Sequence, residues 1–175
     1  MVFNLDPLDI KLEFEKRRYR LEDTIKATVT LIPNSDVELR TASLSLIAQV
    51  RRTDARAGWE MDMLGDRPYQ QMRVRGDGDA SAVPTHGIPV TKMSTEVCYS
   101  TSFLDSASLS SDRIGIYNAA LRIGPNLPKV AQEAKDLQTD ANNSLTIERW
   151  WLEVQVDVVR GRDQSVRKVI EVILT

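Results

Sequence analysis

The chain reads as an all-β protein, an antiparallel β-sandwich with one short helix, on three observations. Apolar and polar residues alternate along several segments, the spacing that sends successive side chains to opposite faces of a strand. Turn-forming residues separate those segments at short intervals. Only one segment carries helical spacing. The clearest strand lies in residues 149–160, where Trp150, Leu152, Val154, Val156 and Val158 take the even positions. Trp151, Glu153, Gln155 and Asp157 take the odd ones. A helix would scatter these residues around its circumference, whereas a strand sorts them into one dry and one wet face.

The other elements follow in chain order. Leu8, Ile10, Leu12 and Phe14 face away from Asp9, Lys11 and Glu13, which makes a first strand. A charged stretch, 15–18, precedes Tyr19 and Leu21, and Glu22-Asp23 reads as a turn. Ile25, Ala27, Val29 and Leu31 alternate with Lys26, Thr28 and Thr30, rich in the β-branched residues that strands favour. Pro33-Asn34-Ser35-Asp36 punctuates, because proline fixes φ and Asn and Asp tolerate turn geometry. Val37 and Leu39 start another strand, whose apolar set then moves to Ala42, Leu44, Leu46, Ala48 and Val50. One extra residue swaps the faces of a strand, so a bulge or bend is expected near Arg40-Thr41.

Residues 51–87 show no sustained period. Arg is mixed with Asp and Gly, Trp59, Met61, Met63 and Leu64 are apolar islands, and Met72 and Val74 could form a short strand. A stretch of this length inside a compact domain is usually functional or mobile. It is read as a long loop or hairpin insertion in a single domain spanning 1–175. Met93, Val97, Tyr99 and Phe103 are then expected to face inward, opposite Ser94, Glu96, Cys98, Ser100 and Ser102. Residues 105–112 read as a Ser-rich loop, and Tyr117, Ala119, Leu121 and Ile123 as a strand stopped by Gly124-Pro125. Pro128 can open a helix, since its missing N–H is harmless in the first turn. Val130, Ala131, Ala134 and Leu137 fall on one face of that helix, and residues 140–143 end it. Arg160-Gly161-Arg162-Asp163 turns the chain back, so Val166, Ile170, Val172 and Leu174 form a last strand in a hairpin with the Trp150 strand.

Composition bounds the function. At 175 residues, 42% hydrophobic and 27% charged, the chain is long enough for a real core and ordinary for a soluble protein. A net charge of -2 gives no general attraction to nucleic acid or acidic lipid. No apolar run approaches a membrane span, and Met-Val-Phe-Asn-Leu-Asp lacks the basic and apolar regions of a signal peptide. Cys98 is the single cysteine, so no internal disulfide can form. These features favour a cytoplasmic location.

Three segments carry a family resemblance. They are Tyr19-Arg-Leu-Glu-Asp-Thr-Ile-Lys-Ala-Thr-Val-Thr-Leu31, then Leu44-Ser-Leu-Ile-Ala-Gln-Val50, and then Leu121-Arg-Ile-Gly-Pro-Asn-Leu-Pro128 followed by Trp150-Trp-Leu-Glu-Val-Gln-Val-Asp-Val158. Their order resembles the N-terminal domain of the arrestin fold, a group that includes arrestins, arrestin-domain adaptors, retromer subunits and bacterial sporulation-control proteins. The family often carries glycine where this chain has Glu22 or Asp23, and again at Ala27. An arrestin has two such sandwiches, and this chain is long enough for one. The resemblance implies an arrestin N-domain-like sandwich that binds other proteins.

Catalytic chemistry finds little inventory. One histidine, His86, and one cysteine, Cys98, cannot assemble a typical zinc site or a dyad with a supporting histidine. His86 sits in a Pro-Thr-His-Gly loop, and no Gly-x-Ser-x-Gly elbow supports a serine triad with Ser100–Ser111. Arg75-Gly-Asp-Gly-Asp79 lacks the closing acid of a calcium loop and reads as an acidic turn. The arginines at 51, 52, 56, 67, 73 and 75 are interleaved with Asp and Glu, a charge-balanced surface rather than a phosphate track. Alternation puts Trp150 inside and Trp151 on the wet face, where an exposed tryptophan can mark a contact surface or be covered by the helix or the long insertion.

The expectation is a non-enzymatic protein-binding or scaffold module with no cofactor, metal or catalytic residue. Its partner contacts are expected at Trp59, Tyr69, Arg73, Arg75 and Trp151. The partners are proteins, with no nucleic acid and no integral membrane segment. Alternatives are a structural subunit of a homo-oligomer joined through sheet edges, and a carbohydrate-binding sandwich.

Overall fold

The computed structural model of the chain describes residues 7–54, 90–139 and 143–174. Its elements, in order, are β1 (Leu8–Phe14), β2 (Arg18–Tyr19), β3 (Thr24–Pro33), β4 (Val37–Asp54), β5 (Val90–Leu109), β6 (Gly115–Arg122), α1 (Lys129–Asp136), a 3-10 turn (Leu137–Thr139), β7 (Asn143–Val158) and β8 (Gln164–Val172). A three-stranded sheet, β1-β3-β6, lies over a five-stranded sheet, β2-β8-β7-β4-β5. Every pairing is antiparallel except the short one of β2 with β8.

The alternating residues meet between the sheets. Leu8 and Leu12 of β1, Ile25, Val29 and Leu31 of β3, and Leu121 of β6 face Leu44 and Leu46 of β4 and Leu152, Val154 and Val156 of β7, all buried. Each such side chain contributes roughly 1.5–3 kcal/mol relative to exposure. The expected bulge in β4 is present. Leu39 pairs with Val158 and Thr41 with Asp157, so Arg40 is the extra residue that moves the buried set from odd to even positions.

The β5 strand differs from its sequence reading. Tyr99 pairs with Leu46 and Val97 with Ile47, which leaves Cys98 extra; Leu104 pairs with Ala42 and Ser102 with Ser43, which leaves Phe103 extra. Two added residues break the simple alternation. Met93 and Val97, expected inside, are 53% and 64% exposed, while Cys98, expected on the polar side, packs partly buried against the core with Tyr99, Phe103 and Leu104. The strand also runs through the Ser-rich stretch to Leu109, which pairs with Val37, because the start of β4 offers an open ladder there. The turn falls later, where the Ser111 N–H donates to Asp36 Oδ1 at 2.9 Å.

Strand β4 continues past Arg51 to Asp54, which pairs with Val90 of β5, so residues 55–89 leave and rejoin the sheet at neighbouring positions. The Pro128 carbonyl starts α1 by accepting the N–H groups of Ala131 and Gln132 at 2.9 and 3.0 Å. Val130 and Ala131 are buried, and Ala134 and Leu137 pack partly buried on the core. Trp150 lies on that inner side, sharing a cleft with Ala131, Ala134 and Val172. Arg52 of β4 ties the helix down: it donates to Glu133 of α1 and, at 2.7 Å, to Glu96 of β5. The β7–β8 hairpin has the expected partners, from Val156 with Gln164 to Trp150 with Ile170. Its turn needs glycine at 161, where a Cβ would lie 2.7 Å from Val158 Cγ1.

Candidate functional site

Of the expected contact residues, Trp59, Tyr69, Arg73 and Arg75 lie outside the described residues, as does His86. Trp151 lies within them. It sits on the face of the five-stranded sheet that points away from the three-stranded sheet, opposite to Trp150, so α1 does not cover it. Across the ladder Trp151 is flanked by Val169 of β8 and by Ile47 of β4, and Ile47 in turn by Val97 of β5. This apolar row crosses four strands on the wet face. Ile47 is 2% exposed, Trp151 is half-buried, and the row ends in Val169 and Val97, at 52% and 64% exposure.

Polar rows hold this band in place. On one side the Arg149 guanidinium stacks over the Trp151 ring, 5.5 Å from its centre. On the other, Arg167 Nε donates to Glu153 Oε1 at 2.6 Å, and the Ser45 and Ser100 hydroxyls share a 2.8 Å hydrogen bond. Glu153 and Ser45 are buried, so both need these partners to offset lost hydration.

Where β1 ends and the chain crosses to β2, two adjoining clefts open beside β8. One, of about 650 Å³, is lined by Glu13, Phe14, Lys16, Trp151, Arg167, Lys168 and Val169. The other, of about 390 Å³, continues past Arg17, Arg18, Ile170 and Glu171. Phe14, Val169 and Trp151 form an apolar floor with basic side chains around it. Arg17 is engaged with Asp23 at 3.1 Å and over the Tyr19 ring at 4.2 Å, Arg18 with Glu171 at 3.1 Å, and Arg167 with Glu153. Lys16 and Lys168 make no ion pair among the described residues, so their charge is free to meet an external anion.

The turn behind this rim is held by hydrogen bonds. The Arg20 N–H donates to Asp23 Oδ2 at 2.8 Å; this bond first, and the Arg17 guanidinium with it, holds the Asp23 carboxyl below its ordinary value. Tyr19 is buried, and its hydroxyl donates to the Glu15 carbonyl at 2.8 Å. Burial raises the Tyr19 pKa, so the phenol stays neutral. Sequence periodicity singled out Trp151 but not Lys16, Lys168 or Val169. The signal for Val169 was present: it is an apolar residue in the same phase as Arg167 and Glu171, as Trp151 is among Glu153 and Gln155.

Among the described residues no group of three or more His, Cys, Asp or Glu side chains is placed to hold a metal, and no helix is long and apolar enough to cross a membrane. Burial pushes the Cys98 thiol up to about 11, so it is not a thiolate at neutral pH.

Among the described residues, the strand order and the one helix, between β6 and β7, fit an arrestin-like β-sandwich. Among solved structures the chain is similar to Spo0M, a sporulation control protein from Bacillus subtilis, with a TM-score of 0.58 and 12% sequence identity. The similarity covers 97% of this chain and 51% of that one, so the chain spans about half the length of the protein it matches. No protein-family model matches the sequence, and no curated protein does.

Proposed function

We propose that the chain is a non-enzymatic protein-binding module, of the structural class of the sporulation control protein it is similar to, and that it works in the cytoplasm. The observation that carries this reading is Trp151, half-buried on the wet face of a central strand and open to a cleft with Lys16 and Lys168 on its rim. Tryptophan is enriched at the centres of protein interfaces, whose rims are polar, as Lys16 and Lys168 make this one. The charge of the rim selects a partner segment that places an apolar side chain between acidic residues. The neutral Cys98 thiol and the single histidine support a role without catalysis.

The test is binding of extended peptides by fluorescence of the intact chain. Peptides with an aromatic or leucine flanked by Asp or Glu are expected to bind, more weakly as salt is raised. Trp151→Ala and Lys168→Glu are each expected to weaken binding roughly tenfold, about 1.4 kcal/mol. Equal binding of basic peptides, or no loss on Trp151→Ala, would refute the assignment.

A further inference from the structure

The five-stranded sheet ends at β5, whose outer edge has no sheet partner among the described residues. Along its second half the other sheet closes in: the Phe103 and Tyr117 rings lie 6.1 Å apart, and the Tyr99 hydroxyl donates to the Asn126 carbonyl at 2.8 Å. Along its first half residues 91–95 are all exposed. An uncovered edge offers a row of N–H and C=O groups to any strand that fits. Residues 90–97 contain no proline, and the first bulge of β5 comes only at Cys98. Met93 and Val97 of this stretch are more than half exposed and share the face of Ile47 and Trp151.

We propose that this edge pairs antiparallel with the same edge of a second copy of the chain, about a two-fold axis at Thr95. In that register Met93 of each copy faces Val97 of the other, and Lys92 lies diagonal to Glu96 of the other. A two-fold pair makes each contact twice. Cross-strand apolar pairs and opposite charges at these separations attract. A register centred on Ser94 would instead put Met93 opposite Thr95 and Val97 opposite Thr91, leaving both apolar groups half-open. The Thr95 register also extends the apolar row from Val169 through Trp151, Ile47 and Val97 by one more residue, Met93 of the second copy. The two five-stranded sheets become one continuous sheet, and the surface is separate from the Trp151 cleft.

Sedimentation velocity of the full chain across the micromolar range tests this. A dimer that dissociates on dilution is expected. Met93→Lys alone and Val97→Glu alone should each raise the dissociation constant roughly tenfold or more. Combining them should restore the dimer, because each new lysine then faces a new glutamate across the axis. A chain that stays monomeric overturns the proposal. So does a dimer indifferent to both single changes, or a double variant no tighter than the weaker single one. Circular dichroism monitors folding, which these exposed positions should leave unchanged; where a variant unfolds, Met93→Gln and Val97→Thr remove the apolar contact without adding charge, and an unweakened dimer there likewise overturns it.

Discussion

Glu22 holds the tightest backbone position in the turn that leads into β3. Its φ is 68°, in the left-handed region where a side chain costs on the order of 1–2 kcal/mol. Glu22 is exposed, and only its N–H is engaged, with the Gly124 carbonyl at 3.4 Å. Glu22→Gly therefore relieves strain without removing a buried contact. After the larger chain entropy of glycine is subtracted, a gain of about 0.5–1 kcal/mol is expected, read as a higher urea midpoint at unchanged slope. Asp23 in this turn and Glu133 on α1 contribute to the acid limb of stability. The Arg20 N–H bond lowers the Asp23 pKa from 3.8, and the hydrogen bond from Arg52 lowers that of Glu133 from 4.5. A lowered folded pKa means the stabilisation is complete above the ordinary value and is lost as pH falls through the folded one. Melting temperature should thus fall below pH 4.5, and less so in Asp23→Asn, which has already lost its share at neutral pH. Cys98 acts at the other limb. Its thiol rises from 9.0 to about 11 on burial, so the fold loses stability as pH climbs between those values. At pH 8 the native thiol should react with iodoacetamide up to about a hundredfold more slowly than the unfolded one.

Single-residue bulges decide which faces the strands bury, and they also decide what could be read in advance. Arg40 was legible because the apolar residues on either side of it change parity while the chain stays strand-like: Val37 and Leu39, then Ala42 and Leu44. Deleting Arg40 brings these two sets into one phase, so a regular strand without the bulge still places both on the inner face. Val37 and Leu39 then stay inside, so urea denaturation should show a loss well below the roughly 3–6 kcal/mol that exposing both would cost. In β5 the same device was hidden. Cys98 and Phe103 are the extra residues, and serine and threonine around them give no apolar parity to follow. Met93 and Val97 consequently read as core although they face solvent. Strand β5 takes its register from β4, and no pattern within residues 90–109 specifies it. The contact that anchors α1 was equally invisible, because Arg52, Glu96 and Glu133 meet only after β4, β5 and the helix are assembled. The helix itself was legible from Pro128 and the spacing of its buried face. Of the candidate site, Trp151 could be found by phase alone, whereas Lys16 and Lys168 reach the same cleft from the end of β1 and from β8.

At the scale of the molecule, the two adjacent tryptophans divide the labour of the sandwich: Trp150 joins the dry interior beneath α1, and Trp151 faces out over the cleft. Stability and binding should separate accordingly. Leu152→Ala, two residues beyond Trp150 on the same buried side, is expected to cost 2–5 kcal/mol, about the loss typical of a buried leucine. The whole-chain consequence concerns residues 55–89. Asp54 and Val90 are ladder partners, so their backbones are close enough for a two-residue turn to join β4 directly to β5. Among the described residues no buried side-chain polar atom lacks a partner. Replacing 55–89 by Asn-Gly should therefore keep the β-rich circular dichroism spectrum and a cooperative melt. The shorter connection lowers the entropy cost of closing the hairpin by about 0.6 kcal/mol per halving, so stability should not fall. The same variant locates the binding determinants: acidic peptide binding retained at full strength assigns them to the Trp151 cleft, and binding lost with the fold intact assigns them to 55–89, where Trp59, Tyr69, Arg73 and Arg75 reside.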